Sequence, residues 1–184
     1  MAGTTSLVTS GIMASRAGDR ILKVNHAGEH GAVAIYGGQL LAGRLRARTL
    51  LAELAEFKAH EEKHRAVFAR ELARRGLRRC RSYWLCGAGG CVLGILTGLR
   101  GQGAMATTTV AVERVVLRHL DRQLQELERI DPAAVTAIAA IVGDERQHHD
   151  RSGERAGQGG VLNRMLAACV SGATEAVIWI GMRV

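Results

Sequence analysis

Glu61-Glu62-Lys63-His64 and Glu145-Arg146-Gln147-His148 are the stretches whose reading decides the fold. Each sets a glutamate and a histidine three residues apart. On a helix that spacing is one face, so both side chains reach toward a common point. Working outward, Glu29 stands 32 residues before Glu61, and Glu113 stands 32 residues before Glu145. Glu113, Glu145 and His148 follow Glu29, Glu61 and His64 by a constant 84 residues. The chain therefore repeats a helical hairpin, and the repeat is carried by functional positions more than by overall similarity.

The residues around these positions have helical period. In 19–46, Leu22, His26, Glu29, Val33, Tyr36 and Leu40 recur at alternating steps of four and three. Residues 49–75 give Leu50, Leu54, Phe57, Glu61, His64 and Phe68. Residues 105–130 give Val110, Glu113, Leu117, Leu120, Leu124 and Leu127, closing at Asp131-Pro132; residues 133–152 give Val135, Ile138, Val142, Glu145 and His148 or His149. Four apolar seams, each with a glutamate near its middle, predict four amphipathic helices in a bundle. Composition agrees: aromatics make up 3% and there is one proline, while many of the 23 glycines fall in 87–103 and 153–160, outside the seams. The 184 residues suffice for one domain. We read 1–18 as a flexible N-terminal segment and 19–184 as the domain.

Two such hairpins meeting about a pseudo-two-fold axis supply four carboxylates and two imidazoles. That is the ligand set of ferritin-like di-iron and di-manganese bundles, with a lone Glu on two helices and Glu-x-x-His on the other two. Oxygen donors with some nitrogen suit iron or manganese. Four glutamates in apolar seams carry four negative charges into a low-dielectric interior, each costly when unpaired. Two ferrous ions close that balance, and no lysine or arginine occupies the seams in their place. The expected metal ligands are Glu29, Glu61, His64, Glu113, Glu145 and His148. His149 is an alternative to His148; the repeat favours His148 and leaves His149 as a hydrogen-bond partner. His26 is either a partner of a ligand or a core histidine. His30 and His60 fall off the seams and read as surface residues, and His119 stays open.

Two segments stand outside the bundle. Residues 82–99 carry no charge, lie between Arg81 and Arg100, and contain Gly87, Gly89, Gly90, Gly94 and Gly98. Eighteen such residues reach the lower limit for a membrane span. The glycines suit close helix contacts or shallow insertion better than a plain span. Residues 161–183 form a second apolar helix. We expect an interfacial helical pair, with core packing the rival reading. The net charge of +8 points to an acidic partner, and Arg70, Arg74, Arg75, Arg78, Arg79 and Arg81 concentrate it just before the apolar insert. The plain reading of this cluster is a solvated helix face and turn; among charged partners an anionic membrane surface fits the order better than nucleic acid, since no aromatics interleave with the arginines. Cys80, Cys86, Cys91 and Cys169 form no C-x-x-C pair and read as reduced thiols. Residues 1–15 carry no charged side chain, and a secretory signal is not expected.

Further local features resemble the demethoxyubiquinone hydroxylase family of ubiquinone biosynthesis. They are Arg20-Ile-Leu-Lys-Val-Asn-His-Ala-Gly-Glu29, Gly31-Ala32, Ile35-Tyr36-Gly-Gly-Gln39, Gly103-Ala-Met-Ala with Thr109-Val-Ala-Val-Glu113, and Asp144-Glu145 with His148-His149-Asp150. The similarity spans about 19–183. The family's ligands fall on the same six positions that the repeat picks out. The chain departs from the family at His30, where tyrosine is usual, at His119-Leu120, where His-Tyr is common, and at Gly181-Met182-Arg183.

The resemblance implies a ferritin-like bundle with two iron ions per chain, acting as a monooxygenase. It would place one hydroxyl from O₂ on the ring of a demethoxyubiquinol-type polyprenyl quinol. Electrons would come from NADH or another reductant; no G-x-G-x-x-G after a strand marks a Rossmann site. It further implies a peripheral inner-membrane protein, on the mitochondrial matrix side or the cytoplasmic face of a bacterial membrane. Contact with other ubiquinone-biosynthesis proteins and a homo-oligomer fit that setting; nucleic acid does not. The rival reading is a ferritin-like iron-binding or ferroxidase protein without a quinone substrate.

Overall fold

The computed structural model describes residues 3–156 and 160–183, with side chains placed from Arg16 onward. Six helices follow one another: α1 Gly3–Gly43, α2 Leu51–Arg74, α3 Tyr83–Arg100, α4 Gln102–Leu127, α5 Pro132–Ala156 and α6 Val161–Gly181, with a 3₁₀ turn at Arg48–Leu50 before α2. No strand occurs among the described residues. The all-α expectation holds, and α1, α2, α4 and α5 are the four seam-bearing helices. The first is longer than expected: it begins at Gly3, so the boundary drawn at residue 18 falls inside a helix. The Asp131-Pro132 break is a helix start. Asp131 Oδ1 accepts from the Ala134 backbone N–H at 3.1 Å, and Pro132, which has no N–H to leave unsatisfied, opens α5.

The seams pack α1 on α2 and α4 on α5, as the repeat requires. Between the hairpins, Asn25 and Gln123 exchange two side-chain hydrogen bonds, at 2.8 and 3.2 Å. Two of the core's three apolar clusters lie within the bundle of seam helices. Ile21, Leu22, Phe68, Leu120, Leu127 and Ile138 belong to one; Tyr36, Leu50, Leu54, Phe57 and Met105 to the other. Each fully buried Leu, Ile or Phe here stabilises the fold by about 1.5–3 kcal/mol. In α1, α2 and α4 the glutamate falls between residues of the two clusters, while α5 contributes only to the first, with Glu145 one turn beyond Ile141.

The two apolar helices are held differently. On α3, a Cβ at Gly94 would come within 2.1 Å of the Ile35 carbonyl oxygen, and one at Gly90 within 2.4 Å of that of Gly31. These glycines let α3 lie against the α1 backbone, one of the two uses expected of them. Gln39 Nε2 donates to Thr97 Oγ1 across the same seam at 3.2 Å. Helix α6 rests on α4 and buries only Val170 and Gly181 fully. Among the described residues it is α6, not the insert at 82–99, that is long and apolar enough to cross a membrane.

Candidate metal centre

The fold brings Glu29 from α1, Glu61 and His64 from α2, Glu113 from α4, and Glu145 and His148 from α5 to one place. None is more than 6% exposed. Their donor atoms form two overlapping sets, each with its atoms within 4.8 Å of one another: Glu29, Glu61, His64 and Glu145, and Glu61, Glu113, Glu145 and His148. The two Glu-x-x-His glutamates belong to both sets, and each lone glutamate belongs to one. The pseudo-two-fold relation in the sequence is thus present in space.

His64 Nδ1 lies 2.9 Å from Glu145 Oε1, 3.6 Å from Glu29 Oε2 and 3.7 Å from Glu61 Oε2. His148 Nδ1 lies 3.1 Å from Glu61 Oε1 and 3.9 Å from Glu145 Oε2. Yet His64 Nδ1, His148 Nδ1, Glu61 Oε1 and Glu145 Oε1 are buried with no aligned hydrogen-bond partner. Orphaned buried polar atoms are costly and uncommon. Here they converge on one space and are all good ligands for a hard divalent cation, so the residues fit a di-metal centre.

The electrostatics point the same way. Burial, with Glu61 and Glu145 nearby, pushes the Glu29 carboxyl well above the usual range. Burial does the same to Glu113, reinforced by Glu145 and Glu61. Burial also penalises a charged Glu61, but His148, His64 and Glu29 outweigh it and hold that carboxyl at about 2. Burial opposes a charged His64, but Glu145, Glu29 and Glu61 overcome it and push the imidazole far up. In the cluster by itself, protons offset charge that divalent cations would otherwise neutralise, so metal uptake should release them.

The flanking histidines correct several expectations. His60 is no surface residue: it is half-buried, and its Nδ1 faces His148 Nε2 at 3.1 Å with the rings stacked at 13°. His30 is half-buried too, stacked on Tyr83 with centroids 4.0 Å apart. His26 is buried and stacked beside Tyr83, with its Nδ1 unpartnered, as a core histidine would be. His149 bonds Asp150 at 3.0 Å and does not reach the ligands. The partner missed in the sequence is Asp144, whose Oδ2 accepts from His64 Nε2 at 3.0 Å. A signal was present: His60 and Asp144 each precede a Glu-x-x-His glutamate and stand 84 residues apart. Tyr36 adds a long contact, its hydroxyl donating to Glu113 Oε1 at 3.4 Å.

A cavity of about 430 Å³ opens beside this layer. Helices α1, α3, α4 and α6 wall it with apolar side chains such as Ile35, Leu93, Val116 and Leu166, and Glu29, Glu61, Glu113 and Glu145 also line it. His119, left open by the sequence, stands on its wall and bonds Glu175 of α6 at 2.8 Å.

Residues 16–181 match the family model for ubiquinone biosynthesis protein COQ7. The chain is 30% identical over 170 residues to the NADPH-dependent 3-demethoxyubiquinone 3-hydroxylase, mitochondrial, of Dictyostelium discoideum, covering 90% of this chain and 77% of that one. It is 31% identical over 167 residues to the 3-demethoxyubiquinol 3-hydroxylase of Rhodospirillum rubrum, covering 90% and 78%. A mouse protein with the same name as the Dictyostelium one is 29% identical over 171 residues, covering 90% and 77%.

Proposed function

The chain belongs to the COQ7 family of ubiquinone biosynthesis proteins, and from that premise we infer that it is a 3-demethoxyubiquinol 3-hydroxylase-type monooxygenase. Glu29, Glu61, His64, Glu113, Glu145 and His148 would hold two iron ions, which supply the O₂ chemistry. The observation that carries this reading is the joining of an apolar cavity to a buried layer of unsatisfied ligands. A storage site needs the ligands but has no use for an apolar pocket beside them. A hydroxylase needs both, since the ring must approach the metal layer with water excluded.

The side chains of this chain have separable tasks. The four glutamates and two imidazoles fix the ions. The walls from α3 and α6 hold the ring and keep water out. The outward faces of those helices suit a lipid-borne substrate: Trp84, Leu85, Val92 and Leu96 on α3 and Val161, Leu162, Met165 and Trp179 on α6 are exposed. Such faces, with arginines nearby, favour peripheral binding to an anionic inner-membrane surface and entry of a polyprenyl quinol from it. Electrons are supplied by NADH or another reductant of that class; the relatives named above as NADPH-dependent point to a reduced pyridine nucleotide.

The test is direct. Reduced, iron-loaded protein given a demethoxyubiquinol analogue and ¹⁸O₂ should yield a hydroxylated quinol carrying one labelled oxygen. Iron uptake measured in the same samples should stop at two per chain. Continued ferrous oxidation and accumulation without a hydroxylated product would replace this reading with iron storage. Flotation with anionic vesicles should weaken as salt rises but persist in part through the apolar faces; a protein that never floats would sink the membrane reading.

A further inference from the structure

The residues that precede the two Glu-x-x-His glutamates, His60 and Asp144, differ in kind but not in place. Each reaches the imidazole of the opposite hairpin: Asp144 of α5 meets His64 of α2, and His60 of α2 meets His148 of α5. In both imidazoles Nδ1 faces the carboxylates and Nε2 faces outward to this partner. When Nδ1 binds a metal ion, the ring proton must sit on Nε2. Both outer contacts are then donations. His64 donates to a carboxylate oxygen, and His148 donates to the ring lone pair of a neutral His60.

The two acceptors are not equal. A carboxylate takes a stronger hydrogen bond than a neutral imidazole does, and it raises the basicity of the ligand that donates to it. The Asp144 side chain is 41% exposed, but it presents its oxygen to a nitrogen whose side chain is 3% exposed, so the contact itself is shielded. The symmetric ligand set therefore has an asymmetric surround.

We propose that the two metal positions differ in affinity, that the one served by His64 fills first, and that His60 is the positioning residue that sets the strength of the second. This rests on the di-iron reading. His60 touches no reacting atom and acts only through His148.

The experiment is an anaerobic titration of the metal-free protein with ferrous ion alone, followed by calorimetry, with each variant first checked for a cooperative thermal melt. The wild type should bind two ions in two steps, separated by about tenfold or more. Asp144→Asn keeps an acceptor but removes its charge; the first step should weaken by about 10- to 100-fold and the two steps should merge. His60→Ala should weaken the second step by a similar factor and widen the gap. His60→Gln, which again offers His148 a neutral acceptor, should restore it. General loosening of the fold would instead lower both steps together. Equal steps in the wild type, or a gap that neither Asp144→Asn nor His60→Ala changes, overturns the inference and leaves the di-iron reading standing. Failure of the wild type to bind two ions overturns both.

Discussion

Two groups of carboxylates are gathered in this bundle, and they are completed in different ways. Near the end of α2, Arg75 collects Glu71, Asp19 and Asp131. Its Nε reaches Glu71 at 2.6 Å, its Nη1 reaches Asp19 at 2.9 Å, and its two terminal nitrogens hold Asp131 at 2.7 and 2.8 Å. Arg74 adds two more bonds to Glu71, and the Ala134 N–H adds one to Asp131. At the centre, four carboxylates meet two imidazoles and leave four buried atoms unpartnered. The first group carries its own fixed cations and is a structural joint between α1, α2 and α5. The second has only imidazoles of its own, and its unpartnered donors could hold cations from outside. The arginine cluster read as a headgroup-binding patch therefore serves two ends: Arg75 is spent inside the fold, while Arg79 lies 4.8 Å over the Tyr83 ring and 5.5 Å over that of Trp84, beside the apolar insert.

The sharpest way to break this contrast is Glu61→Ala. Glu61 belongs to both ligand sets, so iron content should fall from two to near zero. Hydroxylation should drop by more than about 100-fold, the upper range for losing a mere partner of a ligand. Iron analysis with the labelled-oxygen assay checks both, and retention of two ions would deny Glu61 its part in both ligand sets. The matching change at the other cluster is Arg75→Ala. Stranding three carboxylates should cost about 3 kcal/mol, a fall in Tm of roughly 6–12 °C, with two irons still bound. If the iron goes and the melting temperature stays, the roles assigned to the two clusters are reversed.

Removing the metal should give a somewhat smaller effect. Ferrous ion at a hundred times its Kd stabilises by about 2.7 kcal/mol, so chelation should lower the melting temperature of the wild type and of Arg75→Ala alike. Glu61→Ala should not respond to either iron or chelator. The smallest effect is in acid. Arg74 and Arg75 hold the Glu71 carboxyl at about 2, and Arg75 holds Asp131 below its ordinary range. Both groups are depressed on folding, so their contribution is present above unfolded values of 4.5 for Glu71 and 3.8 for Asp131 and is lost as pH falls through the lower folded values, about 2 for Glu71. Denaturant midpoints measured in chelator from pH 5 to 2.5 should show this loss in the wild type. The slope should flatten in Arg75→Ala, and an unchanged slope would remove the cluster as its source.

Most of the fold was legible because it rests on local pattern. Apolar steps of three and four residues mark the four seam helices, and Asp131-Pro132 marks a start that a backbone hydrogen bond then realises. The N-terminal limit of α1 was not legible: the residues before 19 lack the seam that a bundle helix shows. The Gly-rich insert was ambiguous, because glycine suits both shallow membrane insertion and close packing. Only the approach of α3 to Ile35 and Gly31 tells which use Gly90 and Gly94 serve.

By itself the sequence determined where six convergent donors lie, because a constant 84-residue offset and a three-residue spacing are properties of the chain alone. It also raised the expectation of a cation site, since four glutamates set in apolar seams are costly to bury unpaired. What only the tertiary structure decided was which atoms meet across hairpins. His60 read as a surface residue and Asp144 was given no contact, because each meets an imidazole from the other half of the repeat, 88 and 80 residues away. The cavity was decided in the same way: its walls come from helices that touch only after the chain has folded, and no local pattern encodes the space left between them.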